Sequence, residues 1–269
     1  MPLVDAALLE AVDPVLEEAA AGGNAGAVAD ELPELARLTA AEPKLRGILS
    51  DVFVDPDAKK SFLRDVIGSQ VHGETLAVVG AIVDRPRLAR NVARALEGAA
   101  MAAITVSAEA DGVLGEVEDE IFRFGRMLRG QSELGYALTD ITAPSERKHQ
   151  LVDELLGDRA TSQTVKLVKL LVDTPRQGNL SARLFDLAEL AASRRGRVMA
   201  EVRTAVELDE VRRDKLAEAL AEATGKNVDV KLIVDESILG GVVARVGDEV
   251  IDGSVRRNLE QALYRMTRS

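Results

Sequence analysis

The segment GGVVARVGDEVIDGS, residues 240–254, is the first place in this chain where residue types and spacing could do chemistry. Glycine-rich stretches cradle phosphates when they lead from a strand into a helix, because backbone amides and the helix dipole converge on the anion. They serve equally as turns wherever the backbone needs positive φ. Gly240 and Gly241 stand between two strand patterns, and Gly247 with Asp248 separates two more by the two residues usual in a hairpin. Only Asp252, Gly253 and Ser254 lead from a strand toward a helix; Ser254 or Asp252 could serve as its N-cap, and Asp252 would repel an anion. Turn chemistry is therefore the preferred reading of Gly240, Gly241, Gly247, Asp252, Gly253 and Ser254. A small-molecule or nucleotide-binding enzyme using this loop is the alternative.

The remaining reactive side chains form no recognisable constellation. His72 and His149 have no second histidine or carboxylate at ligand spacing and read as surface residues. The chain has no cysteine, which excludes disulfides, thiol catalysis and thiolate metal sites. It also lacks the GxSxG elbow, HExxH and the P-loop. Carboxylates are abundant, but most lie on helix faces beside Lys or Arg, where a solvated surface is the default. No catalytic residue, cofactor or metal ligand is expected.

The elements that carry these residues follow from composition and periodicity. The 269 residues suffice for two or three domains, and with aromatics at 3% and no tryptophan the interior must be Ala, Leu and Val, which favours packed helices. A formal charge of −11 disfavours helical nucleic-acid binding, which needs clustered basic residues. The N-terminus meets acidic residues at once, so no signal peptide is expected. The most apolar stretch, 95–110, contains Glu97 and Glu109 and falls short of the roughly 20 residues of a membrane span.

At a constant offset of 89, residues 30–94 align without a gap on 119–183, and 16 of 65 pairs are identical, among them Glu31/Glu120, Lys59/Lys148, Gly68/Gly157 and Val79/Val168. A register held that long marks a duplicated domain. Each copy reads as short amphipathic helices punctuated by Gly, Pro and Asp. After Arg197 the period changes to two: Val198, Ala200, Val202 and Val206 alternate with Met199, Glu201, Arg203 and Ala205. A helix ending at Gly225, strands near 228–234, 242–246 and 250–251, and a final helix from about Ser254 to Arg265 complete a small α+β module with an antiparallel sheet. The expected fold is mainly α: helical bundles at 1–98 and 99–196, then the module at 197–269.

The long apolar helix of each copy raises a question of partnership. Lys166 and Lys169 give the second one a polar stripe, whereas the first has Ala77 and Gly80 there and is apolar nearly all round. Such a helix is either central to its bundle or a groove awaiting a partner's amphipathic helix. Leu76, Val79 and Val83 in the first copy, and Val165, Val168 and Val172 in the second, are the candidate groove residues.

At residues 228–263 the sequence VDVKLIVDESILGGVVARVGDEVIDGSVRRNLEQAL resembles the C-terminal signature of the delta subunit of F-type ATP synthases, the family of the oligomycin-sensitivity-conferring protein. Upstream, KLVKLLVDTPRQGNL followed by GRVMAEVRTAVEL is similar to the family's passage from helical domain to sheet, so the resemblance covers 117–269. A typical member has one helical domain opened by an Arg-Tyr-Ala helix. This chain has two and begins LVDAALLEAVDPVLEEA, which resembles the long actinobacterial type. The resemblance implies a non-catalytic peripheral-stalk subunit. Its helical domain would hold N-terminal helices of alpha subunits on the catalytic head, and its C-terminal module the end of the b subunit, so that proton-driven rotation is coupled to ATP synthesis. It would act peripherally at the cytoplasmic face of the plasma membrane, with no membrane insertion of its own and no nucleic-acid partner.

Overall fold

A computed structural model describes residues 3–174, 179–225, 227–235, 238, 241–246 and 249–252. The chain forms two compact units, 1–188 and 189–269.

The first unit is helical. Its opening elements are α1 (Ala6–Ala21), α2 (Ala25–Ala41), α3 (Pro43–Ser50), α4 (Pro56–Ile67), α5 (Gly73–Val83), the short α6 (Pro86–Ala89) and α7 (Val92–Ala110). Then come α8 (Leu114–Arg129), α9 (Ser132–Thr139), α10 (Ser145–Leu156), α11 (Ser162–Asp173) and α12 (Leu180–Arg194), the last running on into the second unit. Local chemistry sets these bounds. Asp5 caps α1 by accepting from the Ala7 amide at 3.0 Å, Thr161 caps α11, and Pro43 and Pro56 occupy first-turn positions where no amide donor is needed.

The duplication holds element by element. Adding 89 carries α3 from 43–50 to 132–139, which is α9, and α4 from 56–67 to 145–156, which is α10. The same shift starts α2 at 114, where α8 begins, and α5 at 162, where α11 begins. Shifted α1, 6–21, lands on 95–110 and so on the last sixteen residues of α7. One uninterrupted helix thus closes the first copy and opens the second, and the expected division at 98/99 falls inside it. Buried almost throughout, α7 packs against α1, α2 and α5 on one side of the duplication and α8 and α11 on the other. Close approach is needed there: a Cβ on Gly98 would stand 2.6 Å from Leu8 Cδ2.

Two glycines matched by the repeat have a backbone reason to be matched. A Cβ on Gly68 would lie 2.3 Å from the Arg64 carbonyl oxygen, and one on Gly157 2.6 Å from that of Asp153. Each ends its helix by donating its amide to that same carbonyl, so the clash cannot be relieved by a side-chain rotation. Gly68→Ala and Gly157→Ala should each cost about 1–3 kcal/mol, the scale of forced overpacking, read as a lower urea midpoint at unchanged slope.

In the second unit, β1 (Arg197–Thr204), α13 (Glu210–Thr224), β2 (Asn227–Val234), β3 (Val242–Val246) and β4 (Glu249–Asp252) give a sheet of order β2-β1-β3-β4. The sheet is mixed. β1 pairs with β3, and β3 with β4, antiparallel as expected, but β1 and β2 run parallel, with Ala200 opposite Val230. The antiparallel expectation is corrected here for that pair: the fifteen-residue α13 between them is a crossover, which returns the chain in the same direction. Gly225, at φ +66°, stops that helix as a left-handed cap. Ala200, Val202, Leu220, Val230, Ala244 and Val246 form the module's core. Val206, expected in the first strand, lies beyond its end and is exposed. Gly241 takes φ +81° ahead of β3, the conformation a turn glycine supplies. β3 and β4 pair as a hairpin, with Val246 opposite Glu249. Asp252 closes β4. Gly240, Gly247, Gly253, Ser254 and the expected final helix lie outside the described residues.

Candidate partner-docking cleft

The six apolar positions expected to line a groove divide by burial. Val79, Val83, Val168 and Val172 are buried to 2% exposure or less, while Leu76 and Val165 are half-buried. On the described surface α5 and α11 are therefore central helices, packed on α1 and α4 or on α7 and α10, with only their flanks reaching the outside. The four buried valines supply core packing in this structure, not groove lining.

A cleft of about 280 Å³ opens between the two copies. One wall is α2, through Ala29, Pro33, Ala36, Arg37 and Ala40; the other is α11, through Lys166, Lys169, Leu170 and Asp173, and Glu97 of the shared helix α7 is also part of the lining. The duplication explains why it exists, since α7 belongs to both bundles and both copies must pack on it. Pro33 shapes the α2 wall: having no amide proton, it leaves the Ala29 carbonyl without its intrahelical donor, and both residues line the cleft.

Two ion pairs and one histidine–carboxylate hydrogen bond edge the opening. Lys166 pairs with Asp30 across the two copies, Lys169 with Asp153 at 2.7 Å within the second copy, and the His149 ring nitrogen Nε2 with Asp173 at 2.8 Å. His149, expected as a plain surface residue, is tied to a carboxylate 24 positions away that only the fold brings near. Lys166 and Lys169, singled out as a polar stripe, do lie in this wall. The α2 wall was not anticipated. A signal for it existed in the identical repeat pairs Asp30/Asp119 and Arg37/Arg126, whose first members both face the cleft.

A repeated clamp anchors the N-termini of α5 and α11. In the first copy a Glu31 carboxylate oxygen accepts from the His72 amide at 2.9 Å and the Thr75 hydroxyl at 2.6 Å, and the other lies 2.6 Å from His72 Nδ1. In the second, Glu120 accepts from the Thr161 amide and hydroxyl and the Thr164 hydroxyl at 2.9, 2.8 and 2.7 Å. The positions correspond under the shift of 89, as 31/120, 72/161 and 75/164. Only the first clamp contains an imidazole.

That imidazole makes the first clamp titratable. Burial alone would raise Glu31, but hydrogen bonds from Thr75 and from the His72 side chain and amide outweigh it and hold the carboxyl below its ordinary 4.5. The hydrogen bond to Glu31, then its charge, raises His72 above its ordinary 6.5. Glu31 therefore stabilises the fold fully above 4.5 and loses that contribution as pH falls through its lowered folded value; His72 contributes fully below 6.5 and loses it as pH rises through its raised folded value. Protection of the α5 N-terminal amides from hydrogen exchange, corrected for intrinsic rate, should peak between those limits. His72→Thr, which copies Thr161, should abolish the alkaline loss and keep the acid one.

Comparison with known proteins agrees in one direction. The family model described as "ATP synthase delta (OSCP) subunit" matches residues 14–97 and 100–266. The chain is 42% identical over 240 residues to ATP synthase subunit delta of Streptomyces avermitilis, covering 89% of this chain and 88% of that one. It is 40% identical over 274 residues to the subunit of the same name from Parafrankia sp. (strain EAN1pec), covering 97% of each. Among solved structures, a chain of the Toxoplasma gondii mitochondrial ATP synthase hexamer aligns at TM-score 0.38 and 17% identity, covering 64% of this chain and 97% of that chain.

Proposed function

Since the chain belongs to the ATP synthase delta (OSCP) subunit family, we propose that it is a non-catalytic peripheral-stalk subunit, and that the cleft between its two helical copies receives an N-terminal helix of an alpha subunit. The b subunit would then be held by the C-terminal module, residues 197–269. The observation that carries the reading is the cleft itself. It is walled by two helices on a common buried support, and an amphipathic helix laid along it would meet apolar and charged side chains from both walls.

A stator must resist torque without chemistry, which requires a stiff mount. The fully buried Val79, Val83, Val168 and Val172 provide it from behind, and Leu76 and Val165 are the members of that set a partner could reach. No described helix is long and apolar enough to cross a membrane, in keeping with a subunit attached through partners. Its place would be the cytoplasmic face of the membrane that houses the complex, within the machinery of proton-driven ATP synthesis.

Calorimetric titration of an alpha-subunit N-terminal peptide into the full chain tests this. Ala40→Trp fills the cleft from an exposed position, and Lys166→Glu sets a like charge beside Asp30. Each should weaken binding about tenfold or more, that is by about 1.4 kcal/mol, with the fold intact. Wild-type affinity in both variants would remove the cleft from the proposal.

A further inference from the structure

Asp173 ends α11 inside the inter-copy cleft, and its carboxylate is only half used. Oδ2 takes a hydrogen bond from His149 Nε2 at 2.8 Å, whereas Oδ1 is shut from water and accepts from no described group. The side chain as a whole keeps 18% of its surface open, so a group moving along the cleft can reach it. A carboxylate at a helix C-terminus also meets the negative end of the dipole, where a cation is the favourable neighbour.

The first copy has that cation. Under the shift of 89, Asp173 corresponds to Asp84 at the end of α5 and His149 to Lys60, and Lys60 meets Asp84 at 2.6 Å. One copy thus gives its helix-terminal carboxylate a permanent counter-ion, and the other gives it an imidazole, a group that changes charge between about pH 5 and 8. The remaining charges around the pair are Lys166 and Lys169 on α11, paired with Asp30 and Asp153; Glu34 and Arg37 on α2, paired with each other; Glu97 on α7; and the buried Lys148 on α10, which donates to the Val172 carbonyl. Histidine is the residue type that ordinarily titrates near neutrality, and the chain's other one, His72, belongs to the first clamp.

We infer that Asp173 is a specificity-determining residue of the cleft: it accepts a Lys or Arg of the entering helix, in competition with protonated His149. The inference rests on the proposed docking of an alpha-subunit helix there. When His149 is neutral, the carboxylate keeps its charge without a counter-ion, and a cation on the helix restores the charge balance and supplies a donor. When His149 is protonated, that place is taken. The helix's cation and the proton therefore exclude each other, and reciprocity between linked sites makes affinity rise with pH, by at most about tenfold per pH unit for one proton released.

The test is calorimetric titration of the alpha-subunit N-terminal peptide into the full chain from about pH 5 to 8, beside a version of the peptide with every Lys and Arg replaced by glutamine. The parent peptide should bind about tenfold tighter or more at the alkaline end, with proton release seen as a dependence of the heat on the buffer, and the glutamine version should lose that gain. Asp173→Asn should weaken the parent peptide about tenfold at the alkaline end and flatten the profile. His149→Gln should hold the tight limit at every pH, and His149→Lys, which copies Lys60, the weak one. Binding that responds to Ala40→Trp but is flat with pH, or indifferent to Asp173→Asn, would overturn this inference and leave the cleft reading in place. Absence of binding, or indifference to Ala40→Trp, would remove both.

Discussion

Val79→Asp and Val168→Asp should unfold the helical unit of this protein, not merely release a partner. Each valine is fully buried on the central helix of its copy, where a carboxylate would be taken out of water. A buried charge without a partner costs about 3–5 kcal/mol, against the roughly 5–15 kcal/mol that holds a typical domain together. Urea unfolding followed by circular dichroism should show the midpoint falling steeply in both variants, while Leu76→Asp, at a half-buried flank, shifts it by much less. Were Val79→Asp and Val168→Asp to unfold like the parent chain and lose only partner binding, these valines would have to face a partner.

The second large effect concerns two lysines that the repeat keeps and the fold hides. Lys59 and Lys148 are 2% and 5% exposed. Lys59 donates to the Leu49 carbonyl at 3.0 Å near the end of α3, and Lys148 to the Val172 carbonyl at 2.8 Å near the end of α11. The carbonyls at a helix C-terminus lack intrahelical donors, and a cation suits that end of the dipole. Truncation to alanine empties the space of the aliphatic stem and strands the carbonyl, so Lys59→Ala and Lys148→Ala should each cost about 2–5 kcal/mol. Methionine refills most of the volume but donates nothing, and Lys148→Met should recover about half of the loss. Denaturant midpoints decide it. A loss below about 0.5 kcal/mol in both alanine variants would make the two buried amines dispensable. Under the shift of 89 the lysines match but their acceptors do not: Leu49 corresponds to Leu138, not to Val172. The repeat thus preserves a buried donor while each copy chooses its own acceptor.

Much of the architecture was legible because it rests on local periodicity. The repeat in sequence reappears as helix boundaries that coincide for α3 and α9 and for α4 and α10. The strands β1, β2 and β3 sit where apolar alternation put them. The parallel pairing of β1 with β2 had a signal too, in the helix between them, since a crossover long enough to hold α13 brings the chain back in the same direction. The candidate site was less legible. The apolar pattern of α5 is the same whether its faces meet a partner or the chain's own helices, and only the packing of α1, α4 and α7 around it resolves that choice.

What the amino-acid sequence determined by itself was therefore many of the elements, their duplication and the family, all carried by short-range spacing and by side-chain patterns that a chain expresses without knowing its neighbours. What the tertiary structure alone decided was contact between residues far apart: one helix serving both copies, His72 and His149 finding Glu31 and Asp173, and α2 becoming a wall of the inter-copy cleft. The physical reason is that burial and pairing are properties of the packed surface, and residues 24 to 136 positions apart acquire a shared environment only when their helices pack in the folded unit.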